Sequence, residues 1–263
     1  MTKTKEKIKN TIFISSGKGG VGKSTIAANL AVSLAKQGFN TGLLDTDFFG
    51  PSMPILFGLD NAYHKIYEEG KKELFIPISK NGVKIMSPGF LIKTKEGETQ
   101  RIPVVKEAVR QIIQKTAWGN LDYLIIDMPA CTGDLAVSII KKFPKAQAIL
   151  VTTPQQLSIS GSRIAGNMYL KPKINIKILG IIENMSYFIP DNHPKEKHYI
   201  FGEGGGMELA REFQIPLLVK IPFSTELGHL NNQGQSVFLS INSTIKLKFR
   251  KLAEDINILM IDH

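Results

Sequence analysis

The chain has 263 residues, 43% hydrophobic and 21% charged, an ordinary globular composition with enough length to bury a sizeable core. Apolar runs such as YLIID and AILVTT fall far short of the ~20 residues that a membrane-spanning helix needs, and one cysteine, Cys131, excludes both an internal disulfide and a four-thiolate metal site within one chain. The net charge of +10 would suit a polyanion, but the lysines are scattered, with short clusters at 3–9, 141–145 and 245–251, so a solvated surface is expected and neither nucleic acid nor membrane is expected as a partner.

The basic start MTKTKEKIKN is followed by no apolar h-region or cleavage site, which reads as a cytoplasmic protein. NTIFISS (10–16) reads as a first strand. The following STIAANLAVSLAKQG (24–38) reads as a helix, because Ile26, Leu30 and Leu34 recur every four residues before Gly38. NTGLLDTD (40–47) is the second strand. A long connection carries GPSMP, LFIPIS, an Asn-Gly turn and a further strand in VKIMSPGFL (83–91).

Residues 104–118 read as a helix, and LDYLIIDM (121–128), AQAILVTT (146–153), IKILGIIENM (176–185) and LLVKIP (217–222) as strands. Helices over 158–171 and 205–214 lie between them, and an amphipathic helix over 243–260 closes the chain. Alternating strands and helices predict one α/β domain over 1–263, a mostly parallel central sheet with helices on both faces. The Pro-, Gly- and charge-rich stretch 186–206 reads as a mobile loop or lid.

GKGGVGKST (17–25) sits between a predicted strand and a predicted helix, the context that makes a P-loop. Gly17, Gly19, Gly20 and Gly22 let the chain curl so that its N–H groups, with those of Lys18, Val21 and the helix start at Lys23, Ser24 and Thr25, point at phosphate oxygens. The ligand is expected to be a nucleotide's phosphates with Mg²⁺. Lys23 reaches the phosphates, and Ser24 offers the hydroxyl that binds the metal. Asp127, ending YLIID, is expected at a neighbouring strand tip, where it holds the water shell of Mg²⁺. Period-two alternation is expected to put Asp45 and Asp47 on one side of the second strand, Asp45 toward the metal and Asp47 as base for the attacking water. An ordinary pair of strand-end acids is the alternative.

Lys18 is one cation more than a P-loop requires. With this extra lysine the sequence resembles the deviant Walker A ATPases, the group of MinD, ParA, the nitrogenase iron protein and the Mrp/ApbC iron–sulfur carriers. It is most similar to the Mrp/ApbC branch, through LLDTDFFGPSMP, NGVKIMSPGFL, WGNLDYLIIDMPACTGD, VTTPQQLSISGSRIAGNMY, LGIIENMSYF, YIFGEGGG and IPFSTELG, which occur in matching order and spacing over most of the chain. The resemblance implies a homodimer closed around ATP in which Lys18 reaches phosphates held by the other subunit. It also implies that Asn184 reads adenine, that ATP is hydrolysed, with slow turnover expected because Cys131 stands where relatives carry a glycine, and that the protein serves iron–sulfur cluster assembly or carriage with scaffold or apoprotein acceptors. The alternative within the group is a MinD/ParA-like switch that dimerises on ATP and binds a membrane, DNA or a protein.

Two departures matter. Carriers of this branch place a Cys-x-x-Cys pair after ENMSYF, where this chain has IPDNHPKEKHYIFG without a thiolate, so no cluster ligand is assigned. His193 and His198 with Asp191 and Glu196 fit no metal spacing and read as solvated residues. In DMPACTGD the position of Cys131 is a glycine in relatives. A buried, inert cysteine is the expectation there, against a redox or cluster role.

Overall fold

The computed structural model describes residues 8–69, 72–91, 102–130, 133–190, 192–193, 195–239 and 243–261. Eight strands form one sheet in the order β10 (Leu217–Lys220), β9 (Ile178–Glu183), β8 (Gln147–Thr152), β1 (Ile8–Ser15), β7 (Leu121–Asp127), β2 (Thr41–Asp45), β6 (Val83–Met86) and β5 (Ile78–Lys80). Every pairing is parallel except the edge pair of β5 with β6. Strands β3 (Lys65–Glu69) and β4 (Lys72–Ile76) make a separate antiparallel pair.

The alternation of the strands divides their side chains between two cores. Ile12 and Ile14 join Ile125, Ile149 and Val151 on one face, while Phe13 joins Leu124, Ile126, Ala148 and Leu150 on the other. The first face is closed by α1 (Lys23–Lys36), α2 (Met53–Leu56), α7 (Thr225–Asn232) and α8 (Ser243–Ile261). Helices α3 (Ile102–Lys115), α4 (Asp134–Ile140), α5 (Gln156–Tyr169) and α6 (Gly205–Phe213) close the second. Each buried Ile, Leu or Phe contributes roughly 1.5–3 kcal/mol over leaving it exposed, which makes two-sided cover the favoured arrangement.

On α8, Ile245, Phe249, Leu252, Ala253 and Ile256 recur at helical spacing and are buried against α1, while Arg250–Glu254 and Lys251–Asp255 pair on the outer face. Its apolar stripe is therefore spent on the core. No described helix is long and apolar enough to cross a membrane.

Three details differ from the sequence reading. Strand β2 stops at Asp45, so Asp47 stands in the following loop and the two carboxylates do not share a strand face. LFIPIS is two strands, because Pro77 lacks the N–H that would carry β4 into β5. The short helices α2, α4 and α7 span too few residues to show a helical period in the sequence.

Strand β1 lies between β7 and β8, and the chain leaves it for β2 on the far side of β7. The connection after β1 thus opens at the point where strand order reverses, beyond the carboxyl ends of the strands, where doubly wound sheets bind ligands.

Candidate functional site

Beyond Ser15 the chain turns away from the sheet, and the Ser16 hydroxyl donates to the Lys18 carbonyl at 3.0 Å. Gly17 then passes directly against α5. A Cβ on it would fall 1.7 Å from the Gly161 carbonyl oxygen, and one on Gly161 would fall 2.8 Å from that of Gly17, so the approach requires glycine on both sides. Gly19 and Gly20 are exposed, Val21 is buried, and Gly22 caps α1 at φ 84°, a conformation that strains other residues. No side chain caps α1, so the first N–H groups of a 14-residue helix open onto the loop together with its partial positive charge. Backbone arranged in this way can hold an anion.

Lys23, the first residue of α1, is 6% exposed, and its ammonium meets the Asp127 carboxylate at 2.5 Å. It also lies 3.5 Å from the Ser24 hydroxyl. Asp127 ends β7 beside β1 as expected and is fully buried, with its Oδ2 lacking any hydrogen-bond partner. Burial pushes the Asp127 carboxyl above its usual range, while the Lys23 charge and hydrogen bond and the nearby Ser24 hydroxyl, which makes no hydrogen bond with Oδ2, oppose the rise. A buried oxygen without a partner beside a P-loop hydroxyl fits a hydrated divalent cation, which would satisfy it.

Asp45 is buried with both oxygens engaged. Oδ1 accepts the Asp47 N–H at 3.0 Å, and Oδ2 accepts the Ser87 hydroxyl at 2.9 Å and the N–H groups of Ser52 and Met53 at 3.2 and 3.4 Å. It therefore anchors the turn after β2 as well as facing Asp127. Burial, followed by the nearby Asp127 charge, pushes its pKa up to about 7 against the pull of the Asp47 N–H, Ser87 and Lys23. Asp47 is half-buried, and its Oδ1 accepts the Phe49 and Gly50 N–H groups at 3.2 Å each.

Lys18 is partly exposed, and no carboxylate among the described residues pairs with it. Thr25 is tied to α7 through Asn231, 3.3 Å away. Asn184, just past β9, is brought to the loop, and its amide donates to the Val21 carbonyl at 2.9 Å. One of its two N–H groups is thus spent on the loop backbone. Gly161, Ser87 and Glu183 complete the surroundings of the site and are absent from the sequence reading. Of these, only Gly161 carried a signal, a glycine within a helical pattern.

The stretch 186–206 is folded at its base, where Phe188 and His198 exchange two backbone hydrogen bonds of 2.8 Å. At its tip Glu196 faces His193 at 3.4 Å and His198 at 3.6 Å, all exposed. Among the described residues no group of three or more His, Cys, Asp or Glu is placed to hold a metal ion. Asp191 and Cys131 lie outside the described residues.

A family model described as the NUBPL iron-transfer P-loop NTPase, of the ParA group, matches residues 7–257. An iron-sulfur cluster carrier protein of Synechocystis sp. is 41% identical over 89% of this chain and 65% of its own length. One of Pseudomonas fragi is 40% identical over 94% of this chain and 84% of its own. The chain thus spans about two thirds of the Synechocystis relative. Among solved structures, an Archaeoglobus fulgidus nucleotide-binding protein in complex with ADP is similar, with TM-score 0.75, 37% identity and 89% coverage of both chains. The septum site-determining protein MinD of Pyrococcus horikoshii, complexed with Mg-ADP, shares the fold at TM-score 0.64 and 23% identity, with 95% and 96% of the two chains covered.

Proposed function

Because the chain belongs to the NUBPL iron-transfer P-loop NTPase family, we propose that it is a homodimeric ATPase, ATP and water giving ADP and phosphate, that serves iron–sulfur cluster assembly or carriage. The observation that carries the chemistry is the buried Lys23–Asp127 pair at the foot of an uncapped helix, beside an unpartnered Asp127 oxygen. In this reading the triphosphate takes over the Lys23 ammonium and the N–H groups of residues 17–25. Asp127, Ser24 and Asp45 would hold Mg²⁺, partly through water. The cation supplies charge neutralisation on the phosphate oxygens.

Asp47, in the turn beyond β2, accepts the proton of the water that attacks the γ-phosphorus, as the bond to the ADP oxygen breaks. Lys18, with no carboxylate partner of its own among the described residues, supplies a cation to the γ-phosphate held by a second copy, where it offsets the spreading negative charge. Asn184 meets adenine with the amide atoms that Val21 leaves free. The segment IPDNHPKEKHYIFG, where carriers of this branch place a cysteine pair, has none, so in this reading a cluster's thiolates come from a scaffold or acceptor apoprotein, and this chain provides the nucleotide-driven step.

Light scattering on a sizing column with Mg-ATP tests the division between the two lysines. Wild type doubles in mass, Lys18→Ala binds nucleotide within about threefold of wild type but stays monomeric, and Lys23→Ala binds none. Equal loss of binding in both variants overturns the assignment. Anaerobic reconstitution with iron and sulfide, followed by iron counting, reads the cargo directly. The expected result is an iron-free chain alone and iron retained only with a thiolate-bearing partner.

A further inference from the structure

Between β9 and α6 the chain makes its long excursion, and a single carboxylate holds both ends. Glu183, the last residue of β9, is fully buried. Its Oε1 accepts the Ser186 hydroxyl at 2.5 Å, where the excursion begins, and its Oε2 accepts the Gly206 N–H at 2.6 Å, in the first turn of α6, where it ends. Lys220 of β10 stands 3.9 Å from Oε1 and gives the buried charge a counter-ion. The Glu183 backbone carbonyl accepts the Ile221 N–H, and Ser186 N–H bonds the Ile221 carbonyl, so the staple is also fixed to the neighbouring strand.

Between Glu183 and Ser186 the chain makes a tight turn with Met185 at φ 52°, a left-handed conformation costly for a side-chain-bearing residue unless its surroundings enforce it. The Ser186–Glu183 bond closes this turn. Asn184 is the residue the turn presents, and its amide reaches the Val21 carbonyl of the phosphate loop. Glycine loop, turn and excursion are therefore joined through consecutive residues: Val21 to Asn184, and Glu183 to Ser186 and Gly206.

We propose that Glu183 is a positioning residue that couples the nucleotide site to the 187–205 excursion: it fixes the Met185 turn that presents Asn184 to the phosphate loop, while stapling the excursion shut at its base. This rests on the nucleotide-binding reading above. A nucleotide that shifts Val21 and engages Asn184 pulls on the turn, and through Glu183 it changes how firmly the excursion is held. The chain thereby links the occupied phosphate loop to the surface where a partner would meet the tip.

Limited trypsin digestion, with cleavage after Lys195 and Lys197 followed by mass spectrometry, reads the excursion, and a fluorescent ADP analogue reads the site. In wild type, saturating Mg-ADP slows cleavage at these lysines at least fivefold. Glu183→Ala is cut about tenfold faster without nucleotide and binds the analogue about tenfold more weakly. Glu183→Gln, which keeps an acceptor for the Gly206 N–H, restores most of both. Asn184→Ala is cut at the wild-type rate without nucleotide but gains no protection from saturating Mg-ADP.

Protection that survives in Asn184→Ala overturns the coupling, as does Glu183→Ala that loses thermal stability yet binds the analogue like wild type. If Glu183→Ala does not fold, Ser186→Ala, which removes one hydroxyl, carries the test with an expected threefold faster cleavage; no change overturns the staple. A wild type that binds no analogue overturns the nucleotide reading instead, and the nucleotide-free cleavage rates still decide the staple.

Discussion

Two connections leave the carboxyl ends of the sheet, each anchored at its base by a buried carboxylate, and beyond that base they are held differently. The phosphate loop after β1 is fixed from below by a buried ion pair, Lys23 with Asp127, and from the side by the backbone approach of Gly17 to Gly161. The excursion after β9 is stapled at its base by Glu183 and by backbone hydrogen bonds of Phe188 with His198 and of Phe223 with Tyr187, and its side chains add edge-on aromatic contacts, Phe188 and Phe201 each with Phe223 at 6.3 Å, and exposed Glu196–histidine pairs. Breaking a buried pair costs about 3–5 kcal/mol, an aromatic pair contributes about 0.5–1.5, and an exposed ion pair about 0.2–1. The first connection is therefore held in fixed geometry, while the side-chain contacts at the tip of the second add little to the fold.

The sharpest way to break this contrast is to remove the buried cation. Lys23→Ala leaves Asp127, fully buried, without its counter-charge, and is expected to cost about 3 kcal/mol at neutral pH, read by urea unfolding, besides abolishing nucleotide retention. Lys23→Ala with Asp127→Asn is expected to recover most of the stability and none of the binding. A single variant as stable as wild type would mean the pair does not anchor the loop.

A smaller effect follows from Asp45, whose pKa is raised to about 7 by burial and by Asp127, against Lys23, Ser87 and the Asp47 N–H. Its ordinary value is about 3.9. Between these values the folded chain holds a proton that the unfolded chain has lost, so this group's contribution to stability is fully present below about pH 4 and is lost as pH rises through about 7. In EDTA, without nucleotide, the urea midpoint is therefore expected to fall from pH 5 to pH 7.5. Asp45→Asn, which cannot titrate, is expected to flatten that slope. An unchanged slope in the variant would assign the pH dependence elsewhere.

The same contrast explains what the sequence reading could reach. The phosphate loop is a local pattern in which glycines, Lys23 and Ser24 lie within a few residues, so the loop between β1 and α1 was legible once a strand and a helix were read on either side. The sheet was legible too, since residues such as Ile12, Phe13 and Ile14 alternate between two cores. The end of β2 was not, because the bonds that hold Asp45 come from Ser52, Met53 and Ser87, well along the chain. Glu183 was equally hidden, since Gly206 is distant in sequence and a buried strand-end carboxylate shows no period. Resemblance to carriers with a cysteine pair showed what the excursion lacks and said nothing of how it is folded.

The smallest expected effect lies at the tip and closes the comparison from its other side. Glu196 faces His193 and His198 with all three side chains more than half exposed, so solvent screens each pair and their side-chain entropy offsets the attraction. Glu196→Ala is expected to shift the urea unfolding free energy by less than about 0.5 kcal/mol and to leave nucleotide affinity unchanged. Phe223→Ala, which removes the ring that both Phe188 and Phe201 approach, is expected to cost about 1 kcal/mol. A loss above about 2 kcal/mol from Glu196→Ala would show the tip to be fixed as firmly as the phosphate loop, and the two connections would then differ in chemistry alone.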